Sequence, residues 1–360
     1  MMKKLSYLAI MCLLAATLSA CSIPPGQTGK TQMRVLFAGS LIIPFDELET
    51  AFEEQHSDVD VLMEGHGSIQ CIRHVTELNE LADVVAVADY SLIPLIMYES
   101  KNAETGKAYA NWTIQFATNQ LGLAYTSEST YFDEINAENW YEILSHPDVG
   151  FGLSDPRFDA CGYRGMMVGQ LATSYYDEPD LFYNLLGDRF TRPVRIQEND
   201  GLDTILIPEI MQPEDNSGLM MRGASVQLLA PLESGDLDYA FEYRSVSEQH
   251  NLNFLELPPE INLSDAAHED NYQSVRVKLA FQRFATVNPE FEGKTIVYGL
   301  TIPSNAPHPD LAVELIKFLT GPEGQAIMQE QGQPPIVPAV SDNIDNLPAE
   351  LKEVVEEAPS

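Results

Sequence analysis

From Met33 onward, short apolar runs alternate with stretches whose apolar residues recur at helical spacing, and no other feature of the chain narrows its fold as much. This is the pattern of parallel α/β units: a strand buried on both faces reads as a continuous apolar run, and its covering helix shows one apolar stripe. Val35 to Ala38 reads as a strand, then Phe45, Leu48, Ala51 and Phe52 fall at helical spacing behind Pro44, a good first-turn residue, and Val59 to Met63 returns as a strand. Ser68 opens a helix carrying Ile69, Ile72 and Val75 toward the core; Ala82 to Val87 is a buried-type strand, Leu92 to Met97 a short helix, and Thr113 to Tyr125 is extended. A second region begins near Thr126. It predicts helices at 140–144, 162–176, 181–186 and 224–232, strands at 150–153, 237–243 and 253–257, and an irregular, polar excursion at 197–218. Runs 275–284 and 295–302 read as extended, 311–319 and 322–331 as helical, and the acidic end as a loosely docked or frayed helix with Leu351, Val354 and Val355 on one weak apolar face.

A chain of 360 residues exceeds what one core usually fills, so two lobes are expected, with one large α/β domain as the fallback. Residues 33–122 and 297–342 are assigned to lobe 1, 123–296 to lobe 2, and 343–360 to an acidic C-terminal tail. A chain that builds one α/β lobe, crosses to another and recrosses places its ligand between them, at strand C-termini and helix N-termini. Hydrophobic residues at 44% argue against disorder. The 54 acidic against 20 basic side chains argue against nucleic acid as a partner, because phosphate backbones need a basic surface. Net charge does not forbid a small anion held by local donors.

Residues 1–20 stand apart. Lys3 and Lys4 form a charged start, Leu5 to Leu18 an apolar stretch, and Leu18-Ser19-Ala20-Cys21 closes it with small residues before a cysteine. This resembles a lipobox, which would make Cys21 the lipidated first residue of a membrane-anchored chain working outside the cytoplasm, with 21–32 as a tether. An ordinary cleaved signal or a membrane anchor is the alternative. Of the four cysteines only Cys71 and Cys161 then remain; they are read as two small buried thiols, with a disulfide across the cleft as the sharper option. The seven histidines show no metal-ligand spacing.

Three segments pair a strand end with glycine or a hydroxyl residue and a following helix: Ala38-Gly39-Ser40, Gly65-His66-Gly67-Ser68 and Gly223-Ala224-Ser225. At each, a side-chain hydroxyl sits beside unpaired amides at the positive end of a helix dipole, an arrangement that selects anions. One alone is an ordinary N-cap. Three converging starts offer a dianion many donors without an arginine. Gly65 to Ile69 lacks the flanking glycines of a nucleophile elbow, so a serine hydrolase fits poorly and no enzymatic activity is expected.

Two further clusters, Ser154 to Arg164 and Phe241 to Val246, complete a set of ordered segments with AGSL at 38–41, GHGS at 65–68, ADVVAVADY at 82–90, ANWTIQFATNQLGLAY at 110–125, ESGDLDYAFEYRSV at 233–246 and IVYGLTIP at 296–303. Together they resemble the tungstate/molybdate-binding receptor of the archaeal-type tungstate ABC importer, over about Met33 to Val340. The resemblance implies an α/β, two-lobed periplasmic-binding-protein type II fold with its cleft between the lobes. It further implies a monomeric receptor that hands tungstate or molybdate to a permease and its ATPase, without a cofactor.

Carried over by position, the ligand contacts are Gly39, Ser40, Ser68, Asp159, Ala160, Cys161, Ser225 and Tyr243. In that family an aspartate and a glutamate also place carboxylate oxygens on the metal. Asp159 occupies the first position and is a possible direct ligand to tungsten or molybdenum; Ser225 stands where the glutamate is usual. This departure points to a four-coordinate anion held mainly by donors, with Asp159 on the metal or turned aside. It also leaves sulfate, thiosulfate and phosphate as alternative ligands, and an anion sensor as an alternative role. Arg164, Arg222 and Arg244 are read as salt-bridging or lobe-packing residues, and Tyr163 as core.

Overall fold

The computed structural model describes residues 29–199, 201–280 and 289–359. The apolar leader, Cys21 and the start of the tether lie outside the described residues, as does the end of the 275–284 run. Strands β1 (Thr31–Ala38), β2 (Val59–His66), β3 (Val84–Val87), β4 (Ile114–Thr118), β5 (Leu121–Tyr125), β6 (Phe151–Ser154), β7 (Arg195–Asn199) and β8 (Leu202–Ile207) come from the first part of the chain. They are followed by β9 (Leu219–Arg222), β10 (Tyr239–Tyr243), β11 (Asn253–Glu256), β12 (Val275–Leu279), β13 (Glu290–Glu292), β14 (Val297–Thr301), β15 (Pro335–Ser341) and β16 (Val355–Glu357).

The first lobe is built on a sheet ordered β16-β15-β4-β14-β3-β1-β2, and the second on sheets ordered β11-β5-β10-β6-β9 and β13-β12-β8-β7. The chain leaves the first lobe between β4 and β5 at Asn119-Gln120 and returns between β13 and β14. β1 runs parallel to β2 and β3, with Ala38 beside His66 and Phe37 beside Ala86, so these strands end on one edge. In the second lobe β6 is parallel to both β9 and β10, again setting three strand ends together.

Local sequence explains the elements. All four residues of β3 are buried, as a strand covered on both faces requires. The helix Ile42–Gln55 buries Phe45, Leu48 and Phe52 on one stripe, and Ser68–Thr76 buries Ile69, Ile72 and Val75. The helix Ala160–Tyr175 is buried along nearly its whole length. It starts at Ala160 rather than Gly162; a side chain on Gly162 would run into the Ser154 carbonyl, so that glycine serves close helix–strand approach rather than initiation. The 224–232 helix is instead a 3-10 turn, Ser225–Leu228, running into the helix Leu229–Ser234.

Two expectations fail. The excursion at 197–218 contains the hairpin strand β8, which turns at Gly201 (φ +82°) and pairs with both β7 and β12 while burying Ile205 and Ile207. The exposed polar residues belong to β7, whereas in β8 Thr204 is buried and Asp203 accepts Gln170 Nε2 at 2.7 Å, so polar side chains within the packed part of the run disguised the strand. The acidic end is no frayed helix: it closes in a 3-10 turn, Leu351–Glu353, and strand β16, parallel to β15. Leu351 (0% exposed) and Val355 (4%) anchor it. Among the described residues no helix is long and apolar enough to cross a membrane.

Leu351→Ala should therefore lower the stability of the first lobe by about 2–5 kcal/mol, the usual range for emptying a buried leucine site. Urea unfolding checks it; a change within error of zero would show the end to be undocked.

Candidate functional site

Parallel pairing decides which residues meet. β1, β2 and β3 end in Gly39-Ser40, Gly67-Ser68 and Ala88-Asp89, while β6, β9 and β10 lead into Asp155 to Cys161, Gly223 to Ser225, and Tyr243. The two edges face and touch. The Ile69 amide of the first lobe donates to the Phe158 carbonyl of the second at 3.2 Å. A Cβ on Gly67 would sit 2.5 Å from that same carbonyl oxygen, and one on Gly39 would meet Val226 Cγ2 at 3.1 Å. The structure is thus a closed arrangement of the lobes.

Ser40 (4% exposed) shares a 2.8 Å hydrogen bond with the Tyr298 hydroxyl, and Gln333 donates to the Ser40 carbonyl at 2.6 Å. Tyr298 also accepts Asn119 Nδ2 at 3.0 Å, and either hydroxyl of the Ser40–Tyr298 pair can be the donor. Ser68, fully buried, accepts the Ala88 amide at 3.0 Å on its hydroxyl oxygen. Tyr243 (1% exposed) accepts Arg164 Nη1 at 2.9 Å. With an acceptor lone pair occupied in this way, both hydroxyls keep a proton to donate. The Tyr243 and Tyr298 rings lie 6.3 Å apart, linking the Ser40 side of the cleft to the Tyr243 side.

Asp159 precedes the helix Ala160–Tyr175, and its Oδ2 accepts the Ser225 amide at 2.9 Å. Burial pushes its carboxyl above the ordinary aspartate range, opposed by the Ser154 hydroxyl and by the amides of Ser225, Ala160 and Cys161. Ser225 directs its hydroxyl to Glu242 Oε1 at 3.0 Å, and that oxygen also accepts the Tyr243 amide at 2.8 Å. Glu242 Oε2, fully buried, has no partner among the described residues. Burial raises the Glu242 carboxyl to about 8; Asp159 adds to the rise, and the Tyr243 amide and Ser225 hydroxyl oppose it.

The expected residues Gly39, Ser40, Ser68, Asp159, Ala160, Cys161, Ser225 and Tyr243 therefore lie on the two facing edges, all buried. Cys71 and Cys161 are both buried, free thiols, Cys161 pointing its Sγ at the Phe241 carbonyl within its own lobe. Arg222 and Arg244 are exposed, whereas Arg164 is buried between the lobes. Glu242, Tyr298, Asn119 and Gln333 went unnoticed as contributors. Glu242 and Tyr298 stand inside FEY and IVYG, where an acid or hydroxyl amid apolar strand residues was a legible signal. A surface cavity of about 730 Å³, lined by Trp112, Ile302 and Leu347 among others, includes none of these residues.

Two outcomes follow from this geometry. Gly67→Ala places a methyl group against a backbone carbonyl that cannot retreat cheaply, so small-angle scattering should show a variant more open than the parent; equal radii would refute the contact. Between pH 4.5 and about 8 the unfolded chain releases the Glu242 proton while the folded protein keeps it. That contribution to stability is complete below pH 4.5 and lost as pH rises through about 8. Glu242→Gln should flatten the fall in Tm across this window, and parallel Tm profiles would remove Glu242 as its source.

Residues 33–333 match the model of a family described as bacterial extracellular solute-binding protein. An uncharacterized solute-binding protein of Methanoculleus marisnigri is 43% identical over 310 residues, covering 86% of this chain and 83% of the relative. The molybdate/tungstate-binding protein WtpA of Thermococcus kodakarensis is 38% identical over 368 residues, covering 99% and 98%. Among solved structures, the sulfate-binding protein SubI from Mycobacterium tuberculosis superposes with a TM-score of 0.53 at 13% identity, covering 91% of this chain and 94% of that one, a likeness of fold. With the family model spanning most of the chain and relatives aligned along nearly all of it, the protein belongs to the bacterial extracellular solute-binding protein family.

Proposed function

We propose that the protein is an extracytoplasmic receptor that captures tungstate or molybdate between its lobes and delivers it to an ABC permease and ATPase. The observation that carries this reading is that hydroxyls from both lobes, Ser68 and Tyr243, each have an acceptor lone pair occupied by an N–H and a proton left to donate. A tetrahedral dianion without protons wants that set of donors. The near-full-length relative named for molybdate and tungstate supports the choice of ligand.

Ser40, Ser68, Tyr243 and the amides and glycine around Gly39, Ala160 and Cys161 are the contacts we propose, with Asp159 and Ser225 completing the wall. Asp159 Oδ2 is engaged by the Ser225 amide, which favours a four-coordinate anion over one that takes this carboxylate as a further metal ligand. Capture involves no covalent chemistry and no cofactor. Lobe 1 comprises the chain from residue 33 to Asn119 and from 297 through strand β16, and lobe 2 the segment from Gln120 to 296, so all of β5 belongs to lobe 2 rather than being divided at 122; the crossovers at Asn119 and after β13 act as hinges. Closure on the anion is the signal the permease reads. Lipid on Cys21 tethers the monomeric receptor to the membrane's outer side.

A hydrogen bond to a charged group contributes about 1.5–3 kcal/mol, so Ser40→Ala combined with Ser68→Ala should weaken tungstate binding by about 100-fold or more without unfolding the chain. Competition calorimetry with tungstate, molybdate, sulfate and phosphate on the parent and the double variant measures it. Equal affinity in the two proteins would discard the site, and sulfate or phosphate binding ahead of tungstate would discard the ligand.

A further inference from the structure

Arg164 projects from the second turn of the helix Ala160–Tyr175 into the seam between the lobes and is 2% exposed. Its Nη1 donates at 2.9 Å to the Tyr243 hydroxyl of its own lobe and at 2.7 Å to the Ala88 carbonyl of the other. Nη2 lies 3.7 Å from Asp89 Oδ2 and makes no hydrogen bond among the described residues. Beside it the Tyr163 hydroxyl crosses the same seam to Asp89 Oδ2 at 2.6 Å, its ring stacked on Phe291 at 4.4 Å. Asp89 is 1% exposed and spends its other oxygen on the amide and hydroxyl of Ser91. Burial alone would raise the Asp89 carboxyl, but Arg164, Lys294 and the Tyr163 hydroxyl hold it below the usual aspartate range.

Ala88 is the pivot. Its amide occupies the Ser68 hydroxyl oxygen and its carbonyl receives Arg164, which in turn occupies the Tyr243 hydroxyl oxygen. Arg164 thus joins the two donors, Tyr243 directly and Ser68 of the other lobe through the Ala88 peptide. Buried ion pairs add little net stability, because desolvation offsets their attraction, so such a cluster is better suited to specifying one geometry than to strengthening it.

We propose that Arg164 is a positioning residue for the oxyanion site: it orients Tyr243 as a proton donor and, by gripping Ala88, makes lobe closure and the joint presentation of Ser68 and Tyr243 a single event. The proposal rests on the reading of the cleft as an oxyanion site. It extends that reading to selectivity. An anion oxygen bearing a proton, as in hydrogen phosphate, needs an acceptor, and Arg164 and the Ala88 amide each fill one acceptor lone pair of these hydroxyls, which biases them toward donating. Tyr163 and Asp89 form the second half of the same latch.

The test uses the full chain with sodium tungstate and inorganic phosphate as probes, in calorimetry and in small-angle scattering. Arg164→Met should weaken tungstate at least tenfold, narrow the tungstate-to-phosphate ratio, and reduce the compaction that tungstate induces; Arg164→Lys should recover part of all three. Tyr243→Phe added to Arg164→Met should cost little more than Arg164→Met alone, since the two act as one unit. A folded Arg164→Met protein with parental affinity and ratio, or losses that simply add, would overturn the proposal. Should Arg164→Met not fold, Asp89→Asn and Tyr163→Phe take its place: less compaction supports the latch, and unchanged compaction overturns it. A parent that binds no tetrahedral oxyanion overturns the functional reading itself, and the present inference with it; a parent that binds while the variants match it overturns only the inference.

Discussion

Parallel pairing of β1 with β2 and β3, and of β6 with β9 and β10, is the constraint on which the rest depends. Parallel strands all finish on one edge, and each must leave that edge through a turn whose backbone amides find no ladder partner. Gly39, Ser68, Ala88, Cys161, Ser225 and Tyr243 are far apart along the chain and become neighbours only because both sheets carry this polarity and the two edges face each other. Glycine at 67 permits the final approach, since any side chain there would strike the Phe158 carbonyl.

Charge is handled at this seam in a way that net composition conceals. The chain is strongly acidic overall, yet the seam places a buried guanidinium between the Tyr243 hydroxyl and the Ala88 carbonyl, and burial raises the Glu242 carboxyl to about 8, with Asp159 adding to the rise. Asp159 itself is partly answered by the Ser225 amide. Local donors rather than basic residues at the surface set the field there, which is how an acidic protein can receive a small anion.

Much of this was legible in residue order. The β-α alternation, the apolar stripes of Phe45, Leu48 and Phe52 and of Ile69, Ile72 and Val75, and the hydroxyl and glycine residues at strand ends need only local periodicity and capping chemistry to be read. Strand β8 was missed because its alternation is confined to a short run after a polar turn, and β16 because its strand character comes from docking beside β15 rather than from its own acidic residues. Arg164 was named as a salt-bridging or lobe-packing residue; its partners Ala88 and Asp89 lie in the other lobe, and no spacing within the chain connects them.

By itself, the sequence determined which segments become strands and helices, that small and hydroxyl residues occupy the strand ends, and which relatives the chain aligns with, because each of these rests on local pattern. Tertiary structure alone decided that Ser40 answers to Tyr298, that Ser225 shares a carboxyl oxygen with the Tyr243 amide, and that Arg164 spans the seam. These are contacts between residues brought together by sheet order and lobe closure. Hydrogen bonding reaches only about 3 Å, so which partners meet is settled by where the backbone places them.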